Sequence, residues 1–259
     1  MQAVLTGTLI PFAGTALGAM LVLFVRNTVS SVTERILTAL SAGIMLAASI
    51  WSLLIPSLES CEGYGVFAIV PCLIGFWAGI GFLLLLDESI PHLHKDSSVP
   101  EGPGSSLSKT MMMVLAVTIH NIPEGMAVGV VFAGVLHNEP AMSMAAAFAL
   151  SIGIALQNFP EGAIVSLPLK ANGISRKKSC FYGIASGAVE PVAAWITIFA
   201  SNIMVPLMPY LLSFASGAMI YVIVEEMIPE MAEGKHLNSI PLAFAFGFTL
   251  MMVLDVLLK

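Results

Sequence analysis

"MMMVLAVTIHNIPEGMAVGVVFAGV", Met111 to Val135, decides what kind of molecule this is. As a helix rising 1.5 Å per residue, a run of this length crosses the roughly 30 Å of hydrocarbon in a bilayer. Its centre, however, is polar: His120, Asn121 and Glu124 stand together beside Pro123 and Gly125. A near copy, "QNFPEG" at Gln157 to Gly162, sits inside a second apolar run over 141–167. Polar groups at membrane depth are costly and mark function by default.

The rest of the chain has the same character. Hydrophobic residues make up 58% and charged residues 10%, against about 25% charged in soluble domains, and the mean hydropathy is +0.94. Eight spans are expected, at 3–25, 36–58, 65–87, 111–135, 141–167, 180–200, 206–229 and 239–258. They are too long and too continuously apolar for barrel strands, and open sheet edges do not survive in lipid, so the expected fold is all-α. No connection is long enough for a second core, so residues 1–259 form a single membrane domain. The first run lacks a basic leader and a convincing cleavage site, and is read as a spanning helix rather than a signal peptide. Cys61, Cys72 and Cys180 have neither metal-motif spacing nor the pattern of a disulfide framework. Basic residues are few and sit at helix ends, which excludes a nucleic-acid surface.

Those basic residues set the orientation. Arg26 and Arg35 flank the first connection, and Lys95 and Lys109 lie in the third. Lys170, Arg176, Lys177 and Lys178 lie in the fifth and Lys235 in the seventh; only Lys259 falls on the other side. Positive residues mark the cytoplasmic loops, so both termini are expected outside a cell (inner or plasma) membrane. The longest loop, about 88–110, is Ser-, Pro- and Gly-rich and reads as a flexible cytoplasmic linker. His92 and His94 within it are either a weak metal site or two solvated histidines.

The two x-N-x-P-E-G copies lie in helices four and five, which run in opposite directions. A weaker pair, Ser41–Glu59 in helix two and Ala215–Glu233 in helix seven, is also antiparallel. Inverted repeats recur in secondary transporters, with the substrate site near the midplane at the repeat interface.

Residues three and four apart on a helix are neighbours. Glu124 is therefore flanked by His120 on one edge and Asn121 on the other, and Gln157, Asn158 and Glu161 repeat the arrangement. If the two helices cross here, the glutamates occupy the centre of a cage. One metal ion lies toward His120 and Gln157, a second toward Asn121 and Asn158, and both carboxylates are shared. Pro123 and Pro160 free the carbonyls of Ile119 and Leu156 and are expected to kink each helix. Gly125 and Gly162 permit close helix approach. In helix six, Glu190 adds another carboxylate before a proline. Imidazole with carboxylate and amide oxygens suits a transition ion, Zn²⁺ above all, with Fe²⁺, Mn²⁺ or Cd²⁺ as alternatives. Calcium and magnesium prefer all-oxygen shells. The opposing interpretation is a polar network that only glues helices together. Met45 is a candidate thioether ligand. Glu225, Glu226 and Glu230, with Asp87 and Glu88, form either a cytoplasmic exit path or a solvated cluster at the membrane edge. Outside, Glu59, Glu62, His137 and Glu139 either attract cations or are ordinary loop polarity.

"HNIPEG", "QNFPEG" and "SGAVEP" in helices four, five and six resemble the signature of the ZIP (Zrt-, Irt-like protein) family of divalent-metal transporters, in particular its prokaryotic GufA-like branch. The resemblance covers the whole chain. It implies a binuclear site in the transport pathway, with His120, Glu124, Gln157, Glu161 and, in some members, Met45 at the first metal. Asn121, Glu124, Asn158, Glu161 and Glu190 match the second. It further implies Zn²⁺ and related ions as substrate rather than cofactor, movement into the cytoplasm, a homodimer in the lipid bilayer, and in some members an elevator motion of two halves. Asn158 departs from relatives that carry aspartate there, removing one negative charge from the second position. Two other functions compete with the carrier. One is a selective metal-ion channel. The other is an intramembrane metalloenzyme, against which stands the absence of H-E-x-x-H and of any Glu-x-x-His pair within the expected spans.

Overall fold

The computed structural model describes residues 1–25, 30–91, 103–104, 108–204 and 207–258. Arg26, His92, His94, Lys95 and Lys259 lie outside them, as do the side chains of Glu62 and Lys109. Among the described residues there is no strand, and eight helices are long and apolar enough to cross a membrane. These are helix one (Gln2–Phe24), two (Ser31–Glu59), three (Gly65–Ser89), four (Lys109–Leu136), five (Met144–Ala171), six (Arg176–Ala200), seven (Met208–Ala232) and eight (Ser239–Leu258). The protein is an all-α, eight-span membrane protein.

Several helices begin or end outside the apolar windows, because polar end turns are invisible to hydropathy. Serine caps explain three starts: Ser30 accepts from the Thr33 amide at 3.1 Å, Ser108 from Met111 at 3.3 Å and Ser143 from Ala146 at 3.0 Å. Cations close the opposite end of helix one. Lys170 Nζ donates to the Val25 carbonyl at 2.7 Å, and an Arg176 Nη donates to that of Leu23 at 3.3 Å. These basic residues thus satisfy helix C-terminal carbonyls as well as marking a side of the membrane.

Packing obeys the inverted repeat. Helix one lies along helix five as six lies along four, two along eight as seven along three, and two against five as seven against four. Exchanging one with six, two with seven, three with eight and four with five therefore maps the contacts onto themselves. Two four-helix bundles result, one of helices one, four, five and six and the other of two, three, seven and eight. Each of the four main pairs inside the bundles is a glycine contact. A β-carbon on Gly162, Gly125, Gly247 or Gly217 would overlap the carbonyl of Thr15, Glu190, Leu40 or Phe76 respectively. Small residues allow this backbone-to-backbone approach where lipid supplies no hydrophobic drive.

Helices two and seven share a second mark of the repeat. Each widens into a π-helical segment, Ser49–Leu54 and Ile223–Met227, just before an Ile-Pro pair, Ile55–Pro56 and Ile228–Pro229. A proline lacks the N–H for its i−4 partner and presses on that carbonyl, so the preceding turn opens. Ser216 in helix seven donates to the Ser49 carbonyl at the start of the first segment at 2.9 Å. Helix six breaks at Ala188 for the same reason, ahead of Pro191. Helices four and five, in contrast, run unbroken through Pro123 and Pro160.

Candidate metal centre

The polar island is assembled where the two bundles meet. His120, Asn121, Glu124, Gln157, Asn158 and Glu190 are all buried, and Glu161 is half-buried. The Gln157 side-chain amide donates to Glu124 Oε1 at 2.7 Å, joining the two copies across helices four and five. Thr15 Oγ1 donates to Glu190 Oε1 at 2.7 Å, and the Asn121 amide donates to the Ser186 carbonyl at 3.0 Å. The Asn158 amide stands beside both Glu124 and Glu190, without a well-formed hydrogen bond to either. Glu161 has Glu124, Glu190, Glu226 and Glu230 as its electrostatic neighbours.

The unsatisfied atoms define the chemistry. Asn121 Oδ1, Glu124 Oε2, Gln157 Oε1, Asn158 Oδ1, Glu161 Oε1 and Glu190 Oε2 are buried and make no hydrogen bond, as does Asn158 Nδ2. A buried polar atom left unpaired costs about 1–3 kcal/mol, more when charged, and native structures hold few of them. Six oxygens in one place fit a cation and not an anion. Among the described residues no three His, Cys, Asp or Glu side chains stand close enough to form a ligand cluster alone; amide oxygens stand among the unpaired atoms beside the carboxylates.

One predicted ligand is turned aside. His120 Nδ1 meets the Glu226 carboxylate of helix seven's π-helical segment, while the carboxylate of Glu124 is held by Gln157. A cavity of about 50 Å³ is lined by Thr38, Met45, His120, Glu124, Glu161, Glu226 and Glu230. That is room for an ion with a few waters, since one water needs roughly 10–15 Å³ on this measure. A further cavity of about 40 Å³ shares Val117, Ile164, Glu226 and Glu230 and continues to Pro168 and Asn172, at the odd-loop end of helix five. Toward the even-loop side the helices close over the site with Leu53, Phe132, Leu150, Ile154 and Leu212, all at most 1% exposed.

The expected residues therefore divide. His120, Glu124, Glu161 and Met45 border the cavity, whereas Asn121, Gln157, Asn158 and Glu190 do not line it. Of the expected exit cluster, Glu226 and Glu230 line the path. Glu225 and Glu88 are exposed, and the buried Asp87 lines neither cavity. These two cavities also do not reach Glu59, His137 or Glu139.

Two contributors to the centre were not expected: Thr15 holds Glu190, and Ser41 donates to the Gln157 carbonyl at 3.0 Å. Apart from the centre, Ser52 donates to the buried Asp255 of helix eight at 2.8 Å. Thr15 is flanked by Gly14 and Gly18, a small-residue contact strip whose one hydroxyl was the available signal. Asp255 was the other signal, as a lone carboxylate within an apolar helix.

Residues 87–255 match the family model described as ZIP zinc transporter. Zinc transporter ZIP11 of Homo sapiens is 35% identical, with 97% of this chain and 96% of the relative covered. Zinc transporter GufA of Myxococcus xanthus is 35% identical with 99% of each chain covered. Zinc transporter ZIPB of Bordetella bronchiseptica is 34% identical over 95% of this chain and 78% of its own. With its polar island, its eight spans and these likenesses over nearly its whole length, the chain belongs to the ZIP family of zinc transporters.

Proposed function

We propose that the protein carries Zn²⁺ into the cytoplasm through a two-metal centre. His120, Glu124, Gln157, Glu161 and Met45 hold the first ion, and Asn121, Glu124, Asn158, Glu161 and Glu190 hold the second. The observation that supports this best is the group of six unpaired buried oxygens around Glu124 and Glu161, beside a cavity that continues toward the basic, odd-loop side. With that side cytoplasmic, both termini lie outside and the arrangement is inward-facing.

Carboxylates supply the charge that replaces part of the ion's hydration, and amide oxygens complete the shell. His120 exchanges Glu226 for the ion on loading. Glu226 and Glu230 then offer the departing ion successive carboxylates. The packed apolar layer on the even-loop side speaks for a carrier with alternating closure over a permanently open channel. The interface that can slide is the one between bundles, where helix two meets five and four meets seven. The glycine contacts that lock the four main pairs lie inside the bundles.

Reconstitution into proteoliposomes tests this directly. Time-dependent ⁶⁵Zn²⁺ uptake is expected from the intact protein and not from the folded Glu124→Ala/Glu161→Ala variant. Undiminished uptake by that variant sinks the proposal.

A further inference from the structure

At the odd-loop end of helix two, Arg35 is only 8% exposed. Its Nε donates to the Met231 carbonyl at 3.1 Å, and both terminal nitrogens donate to the Lys235 carbonyl at 3.2 Å. A guanidinium carries five N–H donors, so one remains on each terminal nitrogen. No carboxylate among the described residues forms an ion pair with it. A buried charge without a counter-charge is costly at a membrane boundary.

The guanidinium lines a cavity of about 330 Å³ together with Ser31, Val32, Gly234, Lys235 and the exposed Glu233. Ser31 and Val32 open helix two, whose first-turn amides and dipole add to the positive field. Two cations and a helix N-terminus, whose first turn also carries Glu34, thus meet Glu233 as the one carboxylate lining the cavity.

Directly beyond, the chain from Met231 to Leu237 separates this cavity from a second. Glu233, Gly234, Lys235 and Leu237 line the first, and Met231, Ala232 and His236 line the second. The second is an apolar groove of about 520 Å³, walled by Leu46, Ile220, Val224, Ile228, Ile240 and Phe244. Val224 is 57% exposed and Ile228 41%, so the groove opens on the lipid face of helix seven. Its volume falls within the roughly 300–1,000 Å³ of ligand sites.

A cationic, amide-rich mouth above an apolar trough matches one class of occupant. Arginine recognises phosphate with paired donors, and basic pockets between spanning helices on the cytoplasmic side bind anionic headgroups. We propose that the paired cavities bind one anionic phospholipid. Its phosphate sits on Arg35, Lys235 and the first turn of helix two, and one acyl chain lies in the groove against Val224 and Phe244. The bound lipid braces the last turns of helix seven, which carry Glu226 and Glu230. This site is independent of the metal centre and stands or falls without it.

The test is thermal unfolding of the delipidated full chain in detergent with phosphatidylglycerol, phosphatidylcholine or inorganic phosphate added. Phosphatidylglycerol is expected to raise the melting temperature by about 5 °C, as a ligand near a hundred times its dissociation constant does. The other two are expected to raise it by less than about 1 °C on the same scale. No shift with phosphatidylglycerol, or an equal one with phosphatidylcholine, overturns the headgroup assignment. An equal shift with inorganic phosphate overturns the lipid in favour of a free anion. Arg35→Gln is expected to abolish the shift, though it also uncaps helix seven. Val224→Trp fills the groove from its exposed side, leaves the lipid-free melting temperature in place and is expected to cut the shift at least in half. Glu233→Gln is expected to enlarge it. A full shift retained in Val224→Trp overturns the acyl-chain half of the site.

Discussion

The two copies of the x-N-x-P-E-G motif are nearly identical in sequence and unlike in circumstance. In helix four, Glu124 is 1% exposed and held by Gln157, and its neighbour His120 is drawn to Glu226. In helix five, Glu161 is half-buried, borders the cavity, and faces Glu226 and Glu230 across it. The glycines of both copies do the same work, Gly125 on the Glu190 carbonyl and Gly162 on that of Thr15. The copies share a backbone role, therefore, and differ in what surrounds their carboxylates. Helix seven contributes to the difference, because Glu226 of its π-helical segment holds the imidazole of the first copy and only faces the carboxylate of the second.

What the copies share should break most completely. Gly125→Val and Gly162→Val each drive a side chain into a backbone carbonyl that cannot rotate away. Each is expected to cost about 3 kcal/mol or more, and to yield little monodisperse protein on size-exclusion chromatography in detergent. A well-folded Gly162→Val would mean that helices one and five do not meet as described.

Next in size is the loss of either glutamate, and here the copies should part. Glu124→Ala and Glu161→Ala are both expected to lower Zn²⁺ uptake about 100-fold, on the scale by which altering a metal site's surroundings changes affinity. Only Glu124→Ala also strands the Gln157 amide, so it should lower the melting temperature of the metal-free protein by several degrees. Equal metal-free stabilities would contradict the asymmetry.

Much of this arrangement was legible beforehand, for reasons that can be named. The island stood out because carboxylates and amides at three- and four-residue spacing inside an apolar run have no other economy. The count of spans followed from run length. Neither required a tertiary partner. The turn of His120 toward Glu226 did require one, since it depends on how helix seven packs against four. The π-helical segments were hidden because the residues at 49–54 and 223–227 read alike whether a turn holds four residues or five. Thr15 and Asp255 were missed because one polar residue in an apolar helix has no period to read. Helix starts at Ser31, Lys109 and Arg176 lay outside the expected windows because their first turns are polar.

A smaller effect sharpens the asymmetry at His120. If Glu226 competes with metal for the imidazole, Glu226→Gln weakens the competitor and should tighten Zn²⁺ binding by a few-fold, roughly 0.5–1 kcal/mol, by competition against a fluorescent chelator. His120→Ala should weaken binding about 10-fold and make the Glu226 substitution silent, the sign of a shared interaction. Additive effects of the two changes would show that the histidine and the glutamate act separately.

The smallest change concerns the amide at position 158. Asn158 leaves both its polar atoms without a hydrogen bond between Glu124 and Glu190. An amide there offers an oxygen without charge, so a second divalent ion would rest on Glu124, Glu161 and Glu190, two of which it shares with the first. Asn158→Asp adds the missing charge at almost unchanged volume. It also places a fourth carboxylate in a crowded, buried cluster, so the metal-free protein should lose stability while the loaded protein regains it. At a free Zn²⁺ concentration that only partly fills the second position, elemental analysis should move from between one and two ions per chain in the parent to two in the variant, with unfolding temperature rising more steeply with added metal than in the parent. If the parent already holds two ions at the same free concentration, the amide is a sufficient ligand, and the carboxylates of the two copies set occupancy without help from position 158.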